Sequence, residues 1–313
     1  MLKQLLLIFL LLTLPLASCA KPPMTSGGEG GLTFVDDLGR EVSFSDTPHH
    51  VACLLGSFAD LWMLAGGEVC ATASDAFLDL ALDPTEVVNL GGAHSPNLEL
   101  LLSANPDFVI ASASTASHLA MRETLERLCI PVAYFDIDNF DDYLRALEIC
   151  ATLTYRPDLY QKNGIELKEG IDEVKSTYCK QNFTRSEKKI LLLRTSSTGV
   201  KVKGSKGTIL GEMLSDIGTL NIADENGSLL ESLSLEAILL EDPAHIFVVT
   251  MGSDTELALN AFYRMTEENT AWGSLTAVRE GRVHIMDKTL FNQKPNARYL
   301  EAYETLLEKL LTK

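Results

Sequence analysis

Apolar positions in this chain follow two rhythms, and one pairing of them occurs twice. In Asn97 to Ser112, NLELLLSANPDFVIAS, residues Leu98, Leu101 and Leu102 recur at the spacing of one helix face. Pro106 follows, and Phe108-Val109-Ile110 then make a continuous β-rich run. Ser234 to Thr250, SLEAILLEDPAHIFVVT, repeats the frame with Leu235, Ile238 and Leu239, then Pro243, then Ile246-Phe247-Val248-Val249. Each copy predicts a helix, a tight proline turn and a strand buried on both faces, which is the signature of a parallel sheet. A glutamate, Glu99 or Glu236, stands in each first helical turn, seven residues before the proline. A carboxylate there is favoured by the helix dipole and by itself needs no further role. Its recurrence at matched positions predicts two similar lobes, each presenting one glutamate.

The same alternation runs through the rest of the chain. Leu32 to Phe44 alternates around Asp37-Leu38-Gly39-Arg40 and predicts a hairpin, which Pro48 ends. Strands at Val51 to Leu55, Glu68 to Ala73, Glu86 to Leu90 and Ile130 to Phe135 are separated by a helix at Phe58 to Ala65, a loop at Ser74 to Pro84, the first repeat and a helix at His118 to Leu128. Strands alternating with helices in this way predict a parallel α/β sheet. From Asn139 to about Lys180 the strands vanish. A helix runs to Leu153, Pro157 suits a first helical turn, and a long, mostly polar helix follows, with Leu159, Ile165, Leu167, Ile171 and Val174 as a partial apolar stripe. It reads as a spar between lobes. The second lobe then offers strands at Lys189 to Thr195, Val200 to Lys203, Asn221 to Ala223 and Arg282 to Met286. Helices at Thr208 to Ile217, Asp254 to about Glu267, Ala271 to Val278 and Ala297 to Leu311 accompany them and the second repeat. The predicted fold is α/β: two lobes, 32–138 and 182–313, each with a central mostly parallel sheet flanked by helices, joined through a helical connector, 139–181, that contains a single long helix.

The start of the chain, MLKQLLLIFLLLTLPLASCA, has a lysine, then a leucine-rich core too short and wrongly flanked to span a membrane, then small residues. That is the grammar of a secretory signal over residues 1–19. Leu16-Ala17-Ser18-Cys19 resembles the bacterial lipobox, so Cys19 is the expected lipidation site and residues 20–31 a flexible tether. The expected location is the outer face of the cytoplasmic membrane, with the membrane reached through the lipid alone. An apolar fraction of 46% is ordinary for a folded protein, and a net charge of −17 argues against nucleic acid or anionic lipid as partners. Beyond Cys19 stand Cys53, Cys70, Cys129, Cys150 and Cys179, an odd number without a CxxC. These read as buried free thiols, with one disulfide left open. The histidines, His49, His50, His94, His118, His245 and His284, are scattered, so no metal cage is expected.

Catalytic signatures are missing: there is no G-x-S-x-G, no H-E-x-x-H and no G-x-G-x-x-G after a strand. Gly204 to Thr208 lacks the glycine spacing of a phosphate loop and predicts a turn into a helix. Ligands of α/β sheets collect beyond the carboxyl ends of the strands. That rule makes Ser57, Phe58, Asp75, Phe77 and His94 candidates in the first lobe, with Trp62, Ser74, Ser112 to Thr115 and Asp136 as further ones. In the second lobe it picks out Arg194, Lys203, Trp272, Lys294 and Arg298, with Met251, Gly252, Phe291, Asn296 and Tyr299 behind them. Arginine and lysine would pair with ligand carboxylates or phenolates, and aromatic rings would stack on a flat organic ligand. Trp62 lies at helical spacing and also reads as core, and Arg298 also reads as a helix cap or ion-pair partner.

Several of these segments together resemble one family. They are the signal with its lipobox, the DDLGREV hairpin, Ser95-Pro96-Asn97-Leu98-Glu99 with PDFVIAS, the second Leu235-Glu236 unit, and Trp272-Gly273-Ser274-Leu275 with Ala277-Val278 before Gly281-Arg282-Val283. They resemble the substrate-binding lipoproteins of ABC importers for ferric siderophores, haem and cobalamin, over essentially the whole mature chain. The resemblance implies two α/β lobes on one long helix, little movement on binding, a monomer, and no enzyme activity or cofactor. It also implies that Glu99 and Glu236 dock onto arginines of a permease dimer that works with an ATPase. A bare metal ion is not implied, because the histidine and carboxylate ligands of the metal-specific members are not found. The basic rim of Arg194, Lys203, Lys294 and Arg298 leans towards an iron chelate with negative groups, with haem or cobalamin as the alternative cargo. Two other classes compete: an enzyme acting on a tetrapyrrole or chelate in the cleft, and a sensor or adhesion lipoprotein without a transporter.

Overall fold

The computed structural model describes residues 25–26, 31–252 and 254–312. The signal and Cys19 lie outside the described residues, as does the tether apart from Gly31 and Thr25–Ser26, which pairs antiparallel with the hairpin strand Leu32–Val35.

Two sheets carry the fold. The first runs, in spatial order, Val88–Asn89, Val69–Thr72, Val51–Cys53, Phe108–Ser112 and Val132–Phe135, every neighbour parallel. Its strands are short and continuously apolar because both faces are covered. The second runs Gly199–Lys203, Lys189–Ser196, His245–Thr250 and Val283–Met286, with Leu220–Asn221 also on Lys189–Ser196; only the hairpin pair Lys189–Ser196 and Gly199–Lys203 is antiparallel. Successive residues point to opposite faces and divide each sheet between two cores. Cys53, Ile110 and Phe135 face a central core together with Ile190, Leu192 and Phe247 of the second sheet, while Ala52, Val109 and Tyr134 face one outer core and Leu191, Leu193 and Val248 another.

The central core is filled by helices that the two sheets share. Phe140–Leu153, the spar and the terminal helix Tyr299–Leu311 contribute Tyr143, Ile171, Val174, Tyr178, Tyr299 and Tyr303 to it. The spar is one continuous helical path from Pro157 to Cys179, interrupted by a π turn at Gln161–Ile165. At that turn the Asn163 side chain donates to the Leu64 carbonyl (2.8 Å), and the Tyr143 hydroxyl donates to the Asn163 carbonyl (2.8 Å), so the wider turn is tied to both neighbouring helices. A β-carbon on Gly170 would stand 2.7 Å from Leu300 Cδ2, which shows how closely the terminal helix approaches the spar.

Both repeats form helix, turn and strand. Leu98–Ser103 is capped by the Asn97 side chain and leads to Phe108–Ser112; Leu235–Glu241 is capped by Ser234 and leads to His245–Thr250. Gly204 to Thr208 is a turn into the helix Ile209–Ile217, which Thr208 caps. Some expected elements differ. The helix expected at His118 to Leu128 is two short ones, Ala116–Ala120 and Arg122–Arg127, and Asn221 to Ala223 continues into a helix, Ile222–Glu225, because the Asn221 side chain caps it. The five cysteines of the described residues are free; Cys53 and Cys150 are buried, but Cys129 and Cys179 are exposed, contrary to the reading of these five as buried thiols.

Candidate functional site

The strand order of the first sheet reverses at Val51–Cys53, whose neighbours lead away in opposite directions, and a crevice opens beyond the carboxyl ends at such a point. A cavity of about 590 Å3 lies there, between the sheets' ends. Leu55, Gly56, Ser57 and Asp60 come from the turn and helix after Val51–Cys53, and Asp75, Ala76 and Asp79 from the turn after Val69–Thr72. Ala93 and His94 come from the loop after Val88–Asn89. The second lobe contributes Ile209, Thr289, Asn292 to Pro295, Ala297 and Arg298.

Local geometry explains why these side chains converge. Gly56 opens the helix Gly56–Leu64, and its N–H donates to the Asp75 carboxylate (3.2 and 3.3 Å). Asp75 therefore stabilises the positive end of that helix from across the cleft wall. A β-carbon at Gly56 would stand 2.8 Å from the Ala76 backbone nitrogen, so only glycine lets the two turns meet. Buried His118 fixes the third loop: its Nδ1 accepts from the Ser112 N–H (3.0 Å) and its Nε2 donates to the Ala93 carbonyl (2.8 Å). Burial, first of all, pushes its pKa down, in keeping with a neutral ring.

The lobes are stitched at the cleft's floor. Asn296 is 1% exposed, and its Nδ2 donates to the Ser57 carbonyl and to Asp60 Oδ2, each at 2.8 Å. Burial raises the Asp60 pKa, the Asn296 hydrogen bond acts against the rise, and Asp79 adds to it. Burial lowers the Lys294 pKa, while Asp138, Asp136 and Asp142 oppose the fall. Arg298 is bound through two nitrogens by Glu301 (2.7 and 2.8 Å).

Among the residues singled out from sequence, the structure brings Ser57, Asp75, His94, Lys294 and Arg298 around this cavity. Phe58 is not on it. The ring is buried in the central core, edge to face with Phe135 at 6.3 Å. Trp272 is likewise buried, in the outer core of the second lobe, because the 3-10 turn Thr270–Ser274 directs it under Leu235–Glu241 rather than into the cleft. Phe77 is half-buried on the helix Ala76–Asp79 and does not line the cavity. Trp62, Phe291 and Tyr299 are core, and Ser112 is buried beneath His118.

Arg194 and Lys203 stand apart from the cavity lining but share a face. Arg194 pairs across the hairpin with Lys201, and Lys203 with Leu192, so all three cations lie on the face of the second sheet that also carries core residue Leu192. Among the described residues none of the three has a carboxylate partner. Burial lowers the Arg194 pKa, and burial followed by repulsion from Arg194 and Lys201 lowers that of Lys203. A second hollow of about 450 Å3 beside the spar is less suited to a ligand, because its cations already pair there: Lys168 with Asp172, Lys175 with Asp216 and Lys206 with Glu212.

Glu99 and Glu236 are exposed in the first turns of their helices, and among the described residues no cation or donor engages either carboxylate. Asp60, Asp79 and His118 escape a rule that takes only residues next to strand ends; the rule did pick out Asn296, but not its bonds to Ser57 and Asp60. Asp60 lies one helical turn after Gly56, and that spacing was the available signal.

The family described as periplasmic binding protein matches residues 51–290. The chain belongs to that family. YhfQ of Bacillus subtilis (strain 168), provisionally named as an ABC transporter substrate-binding lipoprotein, is 23% identical over 97% of this chain and 95% of its own length. The Fe(3+)-citrate-binding protein YfmC of the same organism is 21% identical over 89% of this chain and 85% of its own. Among solved structures, Staphylococcus aureus SirA complexed with staphyloferrin B superposes with a TM-score of 0.70 at 18% identity, covering 90% of this chain and 99% of that one. That likeness establishes the two-lobed fold. No helix of the described residues is long and apolar enough to cross a membrane.

Proposed function

We propose that this member of the periplasmic binding protein family is an exported, lipid-anchored receptor that captures an iron chelate in the cleft between its lobes and delivers it to an ABC permease. The observation that carries the reading is the cavity of about 590 Å3, which draws on the strand ends of both lobes and falls within the range of small-molecule sites. The names of YfmC and SirA, both iron-chelate binders, support the choice of cargo, and YhfQ supports the importer. The protein's task is to bind and release, a reading that the binding-protein family and relatives named as binding proteins support. Cys19 holds the chain to the membrane through its lipid. Glu99 and Glu236, on helices that pack against the outer cores of two sheets joined by one central core, are two charges at fixed separation, suited to a permease dimer that presents cations twice.

Equilibrium dialysis of the full chain, purified in detergent, against ferric siderophores, ferric citrate, haem and cobalamin tests the reading. Saturable one-to-one retention of a ferric chelate is expected. Retention of haem or cobalamin alone would move the cargo to that class, and retention of nothing would overturn the receptor assignment.

A further inference from the structure

The hairpin at the edge of the second sheet carries three cations that the protein itself does not neutralise. Arg194 stands directly opposite Lys201, and Lys203 opposite Leu192. Side chains alternate along both strands, so Leu193 and Val202 enter the outer core while Arg194, Lys201 and Lys203 lie on the other face, the one that gives Leu192 to the central core. Among the described residues none of the three pairs with a carboxylate, and Arg194 donates only to the Met251 sulfur, at 3.8 Å. Like charges directly opposite across a strand pair destabilise it. With 43 acidic against 26 basic residues in the chain, carboxylates to offset them are not scarce.

The array adjoins the cleft cavity on its second-lobe side. Lys203 leads through the turn Gly204 to Thr208 into Ile209, and Met251 leads to Gly252, whose carbonyl accepts from Lys288 Nζ (3.3 Å) beside Thr289; Ile209 and Thr289 both line the cavity. Lys294 lines it as well, with no ion-pair or hydrogen-bond partner among the described residues. The carboxylates on the cavity, Asp60, Asp75 and Asp79, all come from the first lobe. The two walls therefore differ in sign. Arg194 and Lys203 are half-buried, and the Lys203 pKa is lowered first by burial and then by Arg194 and Lys201, so the three charges act on one another. An anion seated among them removes that repulsion and gains charge-assisted hydrogen bonds.

We infer that this face of the hairpin is a subsite for the anionic groups of the cargo: a ferric chelate that keeps a net negative charge, on catecholate or carboxylate groups, lies with those groups on Arg194, Lys201 and Lys203 and with its remainder in the cavity. This deepens the receptor reading and rests on it. The planar fork of Arg194 can hold two oxygens at once, and the lysines add point charges beside it. A neutral hydroxamate chelate leaves all three cations unpaired and gains nothing from them. The first-lobe carboxylates add orientation, since a chelate inserted the other way round puts its anionic end against Asp60 and Asp79.

Equilibrium dialysis of the full chain in detergent tests this with three probes: ferric MECAM, a polyanionic tricatecholate; ferric citrate, a polyanionic carboxylate; and ferrichrome, a neutral trihydroxamate. At least one of the two anionic chelates is expected to bind at least about tenfold more tightly than ferrichrome, and which one does so tells catecholate from carboxylate. Its affinity should fall at least about fivefold between about 50 and about 500 mM salt, while that of ferrichrome changes by less than about twofold. In the triple variant Arg194→Gln, Lys201→Gln and Lys203→Gln, the favoured anionic chelate should bind at least about thirtyfold more weakly and ferrichrome within about threefold of wild type. Equal or tighter binding of ferrichrome by wild type, or unchanged affinity for the anionic chelates in the triple variant, would overturn the inference while leaving a chelate receptor standing. Binding of haem or cobalamin alone would overturn the inference and change the cargo class. Silence towards every probe would overturn both this inference and the receptor reading. The wild-type preference and its salt dependence need no variant, so a misfolded Gln variant would not shield the claim.

Discussion

Asp36 shows how much one carboxylate can organise. It accepts from the backbone N–H groups of Leu38 and Arg40, from the Tyr134 N–H, and from the Arg40 guanidinium at 2.6 Å, while Arg40 lies over the Tyr134 ring at 4.6 Å. Through it the hairpin is fastened to the last strand of the first sheet. Asp36→Asn should destabilise the fold by about 2 to 3 kcal/mol, because a buried acceptor set loses its charge and Arg40 is only partly exposed; urea unfolding of the two proteins side by side measures it. His245 and His284 make a different statement. They stack in the second lobe with Nδ1 and Nε2 3.1 Å apart. Burial first, then neighbouring positive charge, pushes each pKa down to about 4. Above the ordinary histidine pKa of about 6.5 both states are neutral and the pair's contribution is whole. As pH falls from there towards 4, the unfolded chain takes protons the folded chain refuses, so stability drops, by on the order of 3 kcal/mol per histidine at most. The urea midpoint should fall across that window, and a His245→Leu, His284→Leu protein should lose this part of the pH dependence; an unchanged slope would contradict the buried neutral pair.

Among the elements, the short helices at the cleft depend on where they start. The helix Gly56–Leu64 begins against the Asp75 turn with no room for a β-carbon, which would meet the Ala76 backbone nitrogen at 2.8 Å as well as the Asp75 carboxylate at 2.9 Å. Gly56→Ala should therefore push the two turns apart and weaken cargo binding by at least about tenfold, with far less effect on secondary structure; dialysis and circular dichroism on the same preparation separate the two. The repeated helix, turn and strand was readable because its signals are local: caps at Asn97 and Ser234, apolar spacing, and a proline before the strand. The π turn at Gln161–Ile165 was not. It depends on Asn163 reaching Leu64 and on Tyr143 reaching Asn163, partners remote in sequence.

The molecule as a whole is stiffened by a core common to both sheets, in which Tyr143, Tyr299 and Phe140 pack ring against ring beside the spar. Rigidity of that kind suits a receptor whose two exposed glutamates must meet a transporter at a fixed separation. Glu99→Lys combined with Glu236→Lys should leave cargo affinity within about twofold of wild type and abolish uptake by cells, since both residues are surface charges away from the cavity lining. Uptake at the wild-type rate in cells carrying the double variant would remove the docking role.

Local order determined much of this protein from its sequence. Hydrophobic spacing marks out two lobes of parallel α/β structure, the duplicated glutamates and the connecting helix, because helix and strand periods and caps are properties of neighbouring residues. The same reasoning located the cleft's strand ends, and with them Ser57, Asp75, His94, Lys294 and Arg298. Only the tertiary structure decided which way the rings point: Phe58 and Trp272 turn into cores, since a large apolar side chain near a strand end gains more by burial than by waiting for a ligand. It also decided the cleft's charge. The basic residues stand out in sequence, but whether a charge acts on a ligand depends on what already neutralises it. Glu301 holds Arg298 through two nitrogens, whereas Lys294 lines the same cavity as Asp60 and Asp79 with no ion-pair partner among the described residues.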